Sequence, residues 1–95
     1  CLTRSLAATY GRQGIRVNAL CPGSTDTEHW APIKAANPQV VATVSELYPL
    51  GRIATPAEIA SAALFLASAE ASFVTGAVLV VDGGITASQM GFRKT

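Results

Sequence analysis

The side chains best suited to chemistry are concentrated in the stretch NALCPGSTDTEHW, residues 18–30. Asp26, Glu28 and His29 are oxygen and nitrogen ligands of the kind that metal ions bind in proteins. Such short, mixed spacing within a polar loop is more typical of a solvated surface than of a metal site. We therefore predict no metal in this chain.

The same stretch contains candidate nucleophiles, but they lack the partners that nucleophilic catalysis requires. His29 has no serine or cysteine context that would complete a triad. Ser24 is explained by the turn that Pro22-Gly23 predicts, and Cys21 is expected to be a small buried residue. The sequence therefore predicts no catalytic residue here.

Composition excludes several classes of partner. The chain has 95 residues, of which 49% are hydrophobic and 14% are charged, and its formal net charge is +1. This composition is typical of one core-forming domain at most. Without a run of lysines and arginines we predict no nucleic-acid partner, and the apolar pattern of residues 59–67 is far short of the ~20 residues that a bilayer crossing needs.

The two cysteines and the first residues bear on location and extent. Cys1 lies in a helical pattern and Cys21 at a strand end, so we expect them to be reduced and predict a cytoplasmic protein. Leu2, Leu6 and Tyr10 recur at helical spacing, yet no capping residue precedes them. The sequence is therefore expected to begin inside a helix, as the downstream piece of a longer protein.

The polar stretch follows a predicted strand and opens a long connection. Residues 15–21 alternate with period two and predict a strand that ends at Pro22-Gly23. The next thirty or so residues, about 24–54, contain one predicted helix, capped by Asn37 and beginning at Pro38. A connection of this length favours a lid or binding segment.

A second helix and strand complete the pattern. Thr55-Pro56-Ala57-Glu58 predicts a capping box, and the helix that follows is apolar nearly all round, which predicts burial on more than one side. Residues 77–81, AVLVV, predict a strand covered on both faces. Strand, crossover helix and strand predict a βαβ unit of an α/β protein with a parallel sheet.

Several motifs together carry a resemblance. In order, they are LTRSLA, GIRVNALCPG, DT, GRIATPAEIASAALFLAS and VTGAVLVVDGG. This order and spacing resembles the C-terminal portion of the short-chain dehydrogenase/reductase family, particularly its members similar to 3-oxoacyl-[acyl-carrier-protein] reductase. The resemblance covers residues 2–84.

The resemblance implies the C-terminal part of a Rossmann-like doubly wound parallel sheet, namely its last two strands plus flanking helices. It makes residues 1–95 part of a single NAD(P)-binding domain. The family's catalytic Tyr-x-x-x-Lys would fall upstream of Cys1, because Tyr10 is followed by Gly14 and Tyr48 by Arg52. We expect this chain by itself to be inactive.

The resemblance also implies which residues bind the cofactor, NAD or NADP. Pro22 and Gly23 would border the nicotinamide, because a glycine lets the main chain approach a flat ring closely. Main-chain groups near Thr25 would bond the carboxamide. The hydroxyl of Thr27 would reach the carboxamide or a phosphate.

Two further consequences concern the substrate and the assembly. A small carbonyl or alcohol compound is the implied substrate, and Trp30 and Tyr48 either contact it from the lid or only pack the lid on the core. The family commonly forms tetramers, so we expect a homotetramer or a dimer. The alternative is a truncated, non-catalytic module that keeps the oligomer-forming surface.

Overall fold

The computed structural model describes residues 1–87. It contains four α-helices, two strands and four short 3-10 helices in that range. The α-helices are α1 (Leu2–Tyr10), α2 (Ala31–Ala36), α3 (Val40–Ser45) and α4 (Pro56–Ala67); the strands are β1 (Ala19–Pro22) and β2 (Val78–Val81); the 3-10 helices span Gly11–Gln13, Glu28–Trp30, Ala69–Ala71 and Ile85–Ala87. Residues 88–95 of the predicted domain lie outside this range.

The two strands form one parallel sheet. Ala19 pairs with Val78 and Pro22 with Val81, so the strands run in register over their full length. Residues 23–77, which include α2, α3 and α4, make the crossover between them. The predicted βαβ unit and the α/β class are therefore confirmed.

The first strand is shorter than predicted, because an asparagine side chain replaces the main-chain ladder at its start. The prediction began at Ile15, but pairing begins at Ala19. The Asn18 amide donates to the Val74 carbonyl at 3.0 Å and accepts from the Ala77 N–H at 3.0 Å. Asn18 thereby holds the two chains together where the strands have not yet begun.

The long connection contains two helices where the sequence predicted one. Helix α2, with Pro32 in its first turn, was not predicted. Helix α3 begins at Val40, two residues after the predicted start at Pro38. The Asn37 side chain accepts from the Gln39 N–H at 3.1 Å, so it closes a turn in front of the helix instead of capping it directly.

Helix α4 has the predicted start. The Thr55 hydroxyl accepts from the Glu58 N–H at 3.3 Å, and the Glu58 carboxylate accepts from the Thr55 N–H at 2.9 Å, which is the capping box. At the other end, the Arg16 guanidinium donates to the carbonyls of Leu66 and Ser68 at 2.8 and 3.1 Å. A cation at a helix C-terminus also complements the helix dipole.

The cover that the apolar patterns of α4 and β2 predict is not supplied within residues 1–87. No residue of α4 is buried, and Leu64 and Phe65 are 70% and 43% exposed. In β2, Val78 and Val80 are each about half exposed. Their apolar pattern marks surface that needs cover, and this part of the chain has too few layers to provide it.

The buried core is small. It consists of Ala7, Tyr48, Ile53 and Ala71. Tyr48 is the largest of these side chains, and it comes from the long connection instead of from a helix or strand. None of the helices between residues 1 and 87 combines the length and apolar content that a bilayer crossing needs.

Candidate functional site

The Pro-Gly corner lies at the carboxyl edge of the sheet. Strand β1 ends at Pro22, and the Gly23 N–H donates to the Val81 carbonyl at the end of β2, at 2.9 Å. Because parallel strands end at the same edge, the chain after β2, Asp82-Gly83, lies beside the corner. In open α/β sheets, ligands bind outside this edge.

An aromatic ring fills the space between the two strand ends. A Cβ built on Gly23 would lie 3.0 Å from Cε1 of Tyr48 and 3.0 Å from Cα of Asp82, and one on Gly83 would lie 3.2 Å from Cδ1 of Tyr48. Gly83 has φ of +60°, whereas Gly23 has no positive φ. Gly23 is therefore required by a close approach inside this chain, a reason that the sequence did not reveal.

The Tyr48 hydroxyl bonds the residue that follows the corner. It accepts from the Ser24 N–H at 2.8 Å and donates to the Ser24 hydroxyl at 2.9 Å. Tyr48 is 6% exposed. The side chain is thus packed within residues 1–87, and contact with substrate or packing of the lid both stay predictions for this residue.

A β-bridge ties the two ends of the predicted lid together. The Ala54 N–H donates to the Ser24 carbonyl at 2.9 Å, and the Asp26 N–H donates to the Ala54 carbonyl at 2.8 Å. Thr25 and Ala54 are the bridge partners. The segment leaves and re-enters the domain at one place, close to the corner.

The bridge leaves the main chain of Thr25 available on its other side. In a parallel bridge Ser24 and Asp26 turn their main-chain groups toward Ala54, so Thr25 turns its own N–H the opposite way. Within residues 1–87 this N–H has no hydrogen-bond partner, while the Thr25 hydroxyl donates to the Gly23 carbonyl at 3.1 Å. The corner thus presents an unpaired main-chain donor.

Thr27 and Trp30 lie at either end of the 3-10 helix that follows. Thr27 is exposed and its hydroxyl has no hydrogen-bond partner in the described part of the chain. Trp30 is half-buried, and its main-chain N–H donates to the Thr27 carbonyl at 3.0 Å. An ion pair between Asp26 and Lys34, at 2.7 Å, joins this turn to α2; the sequence did not predict this pair.

The remaining candidates of the stretch are surface residues. Glu28 and His29 are exposed, and residues 1–87 contain no group of three or more side chains that could hold a metal ion. Cys21, which was expected to be buried, is exposed, because the end of β1 lacks cover on that side. Neither cysteine forms a disulfide.

Two carboxylates near the corner are held by hydrogen bonds. The Arg52 guanidinium donates to both Glu58 oxygens at 2.7 and 2.8 Å, and with the Thr55 N–H it lowers the pKa of Glu58 to about 2. The Thr86 hydroxyl, with the Gly84 and Thr86 N–H groups, lowers the pKa of Asp82. Both carboxylates serve turns and caps, so neither is placed as an acid or base.

A cavity of about 90 Å³ lies beside the corner. It is well below the ~300 Å³ at which ligand pockets of drug size begin, so this cavity alone is no substrate pocket. It is lined by residues of the corner, the end of the lid segment, α4 and the end of β2: Gly23, Ser24, Tyr48, Leu50, Arg52, Ala54, Glu58, Val81, Asp82 and Gly83.

Sequence and structure comparisons find many relatives of this chain. A family model described as enoyl-(acyl carrier protein) reductase matches residues 1–86. The chain is 55% identical over 87 residues to a cis-4-hydroxycyclohexanecarboxylate dehydrogenase from Sinomonas cyclohexanicum, covering 90% of this chain and 33% of that protein.

Solved structures of similar proteins also match this chain. An oxidoreductase of the short-chain dehydrogenase/reductase family from Burkholderia thailandensis superposes with a TM-score of 0.90 at 44% identity, over 98% of this chain and 37% of that one. A structure from Agrobacterium tumefaciens described as a putative 2-deoxy-D-gluconate 3-dehydrogenase with bound NADP gives 0.80 at 40% identity, over 92% of this chain and 35% of that one.

These comparisons confirm the predicted fold class, because the chain superposes on part of a short-chain dehydrogenase/reductase, which has a Rossmann-like parallel sheet. The chain spans about a third of the length of the relatives it matches. The family model matches residues 1–86, which are nearly all of the residues that the structure describes in this chain. The chain belongs to the short-chain dehydrogenase/reductase family.

Proposed function

We propose that the protein carrying this chain is an NAD(P)-dependent oxidoreductase that transfers hydride between the nicotinamide and a carbonyl or alcohol carbon. In this proposal residues 1–95 are the C-terminal part of one NAD(P)-binding domain. They supply the loop beside the nicotinamide, the lid of residues 24–54 and an oligomer surface. The family's tyrosine and lysine, which move the proton, belong to another part of the protein. Within the family, we also propose that this protein is similar to the 3-oxoacyl-[acyl-carrier-protein] reductases.

The observation that supports this function best is the set of unpaired donors at the carboxyl edge of the sheet. The Thr25 N–H and the Thr27 hydroxyl have no partner within residues 1–87, and a carboxamide offers the oxygen that such donors need. Pro22 is exposed beside them. These groups fit a nicotinamide, which when bound supplies or accepts the hydride.

In the proposed complex each residue has a separate task. Pro22 and Gly23 border one face of the nicotinamide and leave the opposite face for hydride transfer. The Thr25 main chain fixes the carboxamide, and the Thr27 hydroxyl bonds the carboxamide or a phosphate. Together these contacts orient the ring, and holding reactants in a productive orientation lowers the barrier to their reaction.

The cofactor, substrate and setting are part of the proposal. One structural relative was solved with bound NADP, which supports NAD or NADP here without choosing between them. The substrate is a small carbonyl or alcohol compound, which Trp30 contacts from the lid. Two unpaired cysteines agree with a cytoplasmic location, and we propose neither a nucleic-acid nor a membrane partner.

Thr27→Val tests the site. The change keeps the shape of the side chain and deletes the hydroxyl, so cofactor affinity should fall by the ~1 kcal/mol typical of a net hydrogen bond, or about fivefold. Titration of NAD(H) and NADP(H), followed by fluorescence, measures the change. Thermal stability should barely move, because this hydroxyl bonds nothing within residues 1–87.

Thr43→Val is the matched control, because Thr43 is also an exposed threonine of the lid segment and lies in α3. It should leave cofactor affinity unchanged. If Thr27→Val bound both nucleotides as tightly as the parent protein does, the assignment of Thr27 would be wrong. If the parent protein bound neither nucleotide, the proposed function would be wrong.

The alternative function is a non-catalytic module that pairs with full-length relatives. One observation favours it: within residues 1–87, α4 exposes Leu64 and Phe65. An assay of carbonyl reduction and alcohol oxidation separates the two functions. A protein that forms mixed oligomers with a family member but has no activity of its own would support the module.

A further inference from the structure

We propose that Tyr48 is a positioning residue for the nicotinamide-binding corner and makes no contact with substrate. This inference rests on the proposed function, since it assigns Tyr48 a task within the same site. It follows from two contacts of one side chain, made by its ring and its hydroxyl, and from the main-chain donor that these contacts leave unpaired. None of these contacts is visible in the motifs that define the family resemblance.

The first contact is the position of the ring. Tyr48 lies between Gly23, which follows β1, and Gly83, which follows β2, so near that a Cβ on either glycine would lie 3.0 to 3.2 Å from a ring carbon. A side chain at either position would have to displace the ring or the main chain. The ring therefore packs against both strand ends, next to the Gly23 N–H bond to the Val81 carbonyl.

The second contact is the hydroxyl, which uses both of its hydrogen-bonding functions on Ser24. It accepts from the Ser24 N–H at 2.8 Å and donates to the Ser24 hydroxyl at 2.9 Å. The Ser24 carbonyl is taken by the Ala54 N–H at 2.9 Å. Both main-chain groups of Ser24 are thus held by residues from the far end of the lid segment.

These contacts leave the main-chain N–H of Thr25 without a partner in residues 1–87. With Ser24 fixed on one side and Asp26 bonded to Ala54 at 2.8 Å, the peptide between them is oriented so that the Thr25 N–H points away from the bridge. That N–H is the donor we assign to the carboxamide. Tyr48 acts on the cofactor through Ser24 and Thr25.

The burial of Tyr48 argues against a substrate role. At 6% exposure with its hydroxyl committed to Ser24, it has no free polar atom to offer a ligand. Other lid side chains remain accessible, including Ile33 at 41% and Leu50 at 68% exposed. The lid can therefore contact substrate through them while Tyr48 stays beneath the corner.

Tyr48→Phe tests the proposal in the protein that carries this chain, because it keeps the ring and removes both hydrogen bonds. Without these bonds to Ser24, the Thr25 N–H is no longer held toward the carboxamide. The loss of about one net hydrogen bond between Thr25 and the cofactor predicts a five- to tenfold rise in the Kd and KM of the cofactor. The KM of the substrate should be unchanged at saturating cofactor. Hydrogen exchange of a peptide spanning residues 23–26 should become faster, because the Ser24 N–H loses its acceptor.

Two control variants separate positioning from general effects. Tyr10→Phe makes the same chemical change at a half-exposed tyrosine of α1 and should leave the cofactor Kd and the exchange of residues 23–26 unchanged. Ala71→Gly removes a methyl group from the fully buried Ala71, so it should lower the thermal midpoint. It should leave the cofactor Kd unchanged at temperatures well below that midpoint.

Each outcome decides the proposal. A higher cofactor Kd with an unchanged substrate KM supports positioning, whereas a higher substrate KM with an unchanged cofactor Kd would show a substrate contact and overturn it. Unchanged binding and exchange would also overturn it. If the parent protein binds neither NAD(H) nor NADP(H), the proposed function fails and the positioning role with it, and that result is distinct because it appears before any variant is made.

Discussion

Two regions of this chain differ in opposite ways from what their sequences suggest. The strand-end clamp, which we define as Gly23, Ser24, Tyr48, Ala54 and Gly83, comes from turns and a long connection, yet it contains the largest buried side chain. The open apolar surface, which we define as Leu64, Phe65, Val78 and Val80, comes from the most hydrophobic helix and strand, yet all four side chains are at least 40% exposed.

The difference shows that contacts between distant residues decide burial in this chain more than local hydrophobicity does. Tyr48 is buried because two strand ends and the returning lid segment meet around it, 24 residues from Ser24 in sequence. Leu64 is exposed because no layer in residues 1–87 covers it. A hydrophobic pattern states what a segment requires, and its neighbours determine whether the requirement is met.

The largest effect is expected from Gly23→Val, which would force the clamp open. Its Cβ would lie 3.0 Å from both Cα of Asp82 and Cε1 of Tyr48, and the main-chain atom cannot rotate away. Overpacking of this kind costs ~1–3 kcal/mol, occasionally more, so urea unfolding should show a clear loss of stability together with loss of cofactor binding.

Gly11→Ala is the control for this substitution. A Cβ on Gly11 meets nothing within 4 Å, and the residue has a helical φ of −56°, so alanine should be neutral or stabilising by ~0.4–1 kcal/mol. Equal stability of the Gly23→Val and Gly11→Ala variants would mean that the clamp is not close-packed. Gly23→Val disturbs the clamp and also fills space beside the proposed nicotinamide site. Its loss of cofactor binding therefore reports both effects together.

The sequence predicted the features that depend on neighbouring residues. The capping box of Thr55 and Glu58, the end of β1 at Pro22 and the parallel βαβ order are all confirmed. Each is encoded within a few residues, or in the alternation of whole segments. The resemblance to the family added the corner as a cofactor site, which stays a proposal.

The sequence did not predict features that depend on distant partners. Asn18 replaces the start of the ladder by bonding Val74 and Ala77, so the periodicity of residues 15–21 overestimated the length of β1. Helix α2 is joined to the preceding turn by the Asp26–Lys34 pair and has weak local signals. For Tyr48, the sequence offered an aromatic residue in a lid, and only its packing against two glycines shows the role of support.

The second-largest effect is expected from a charge placed on the open apolar surface. We propose that it is covered in a homo-oligomer, a dimer or tetramer, because exposed apolar side chains on a helix and a strand suit a two-fold interface. Phe65→Asp should therefore shift the protein to a smaller assembly in analytical ultracentrifugation. Each subunit should keep its fold when Phe65 lies at this interface, whereas a variant that fails to fold would place Phe65 inside the subunit.

Ala42→Asp is the control, because Ala42 is exposed in α3, and α3 contributes no residue to the open apolar surface. It introduces the same charge away from the aromatic side chain and should leave the assembly intact. An unchanged oligomer in Phe65→Asp would remove this residue from the interface. A monomeric parent protein would overturn the proposed assembly.

The smallest effect is expected at Glu58, which connects the two regions because α4 begins beside the clamp. Its folded pKa of about 2 lies below the ordinary value of 4.5, chiefly because Arg52 bonds its carboxylate. A lowered folded pKa means that this carboxylate stabilises the fold above about pH 4.5, and that the stabilisation is lost as the pH falls toward about 2. Because Glu58 is solvent-exposed, the effect should be modest.

Glu58→Gln isolates this contribution, since glutamine can still accept from the Thr55 N–H in a capping box but cannot pair as an anion with Arg52. Urea unfolding of parent and variant at pH 7, 4.5 and 2.5 should show the parent more stable at pH 7, with a difference that shrinks as the pH falls. In an Arg52→Met background the difference should be smaller at pH 7, because the larger cause of the lowered pKa is gone. A difference that stayed constant across this pH range would mean that the ion pair contributes nothing to the start of α4.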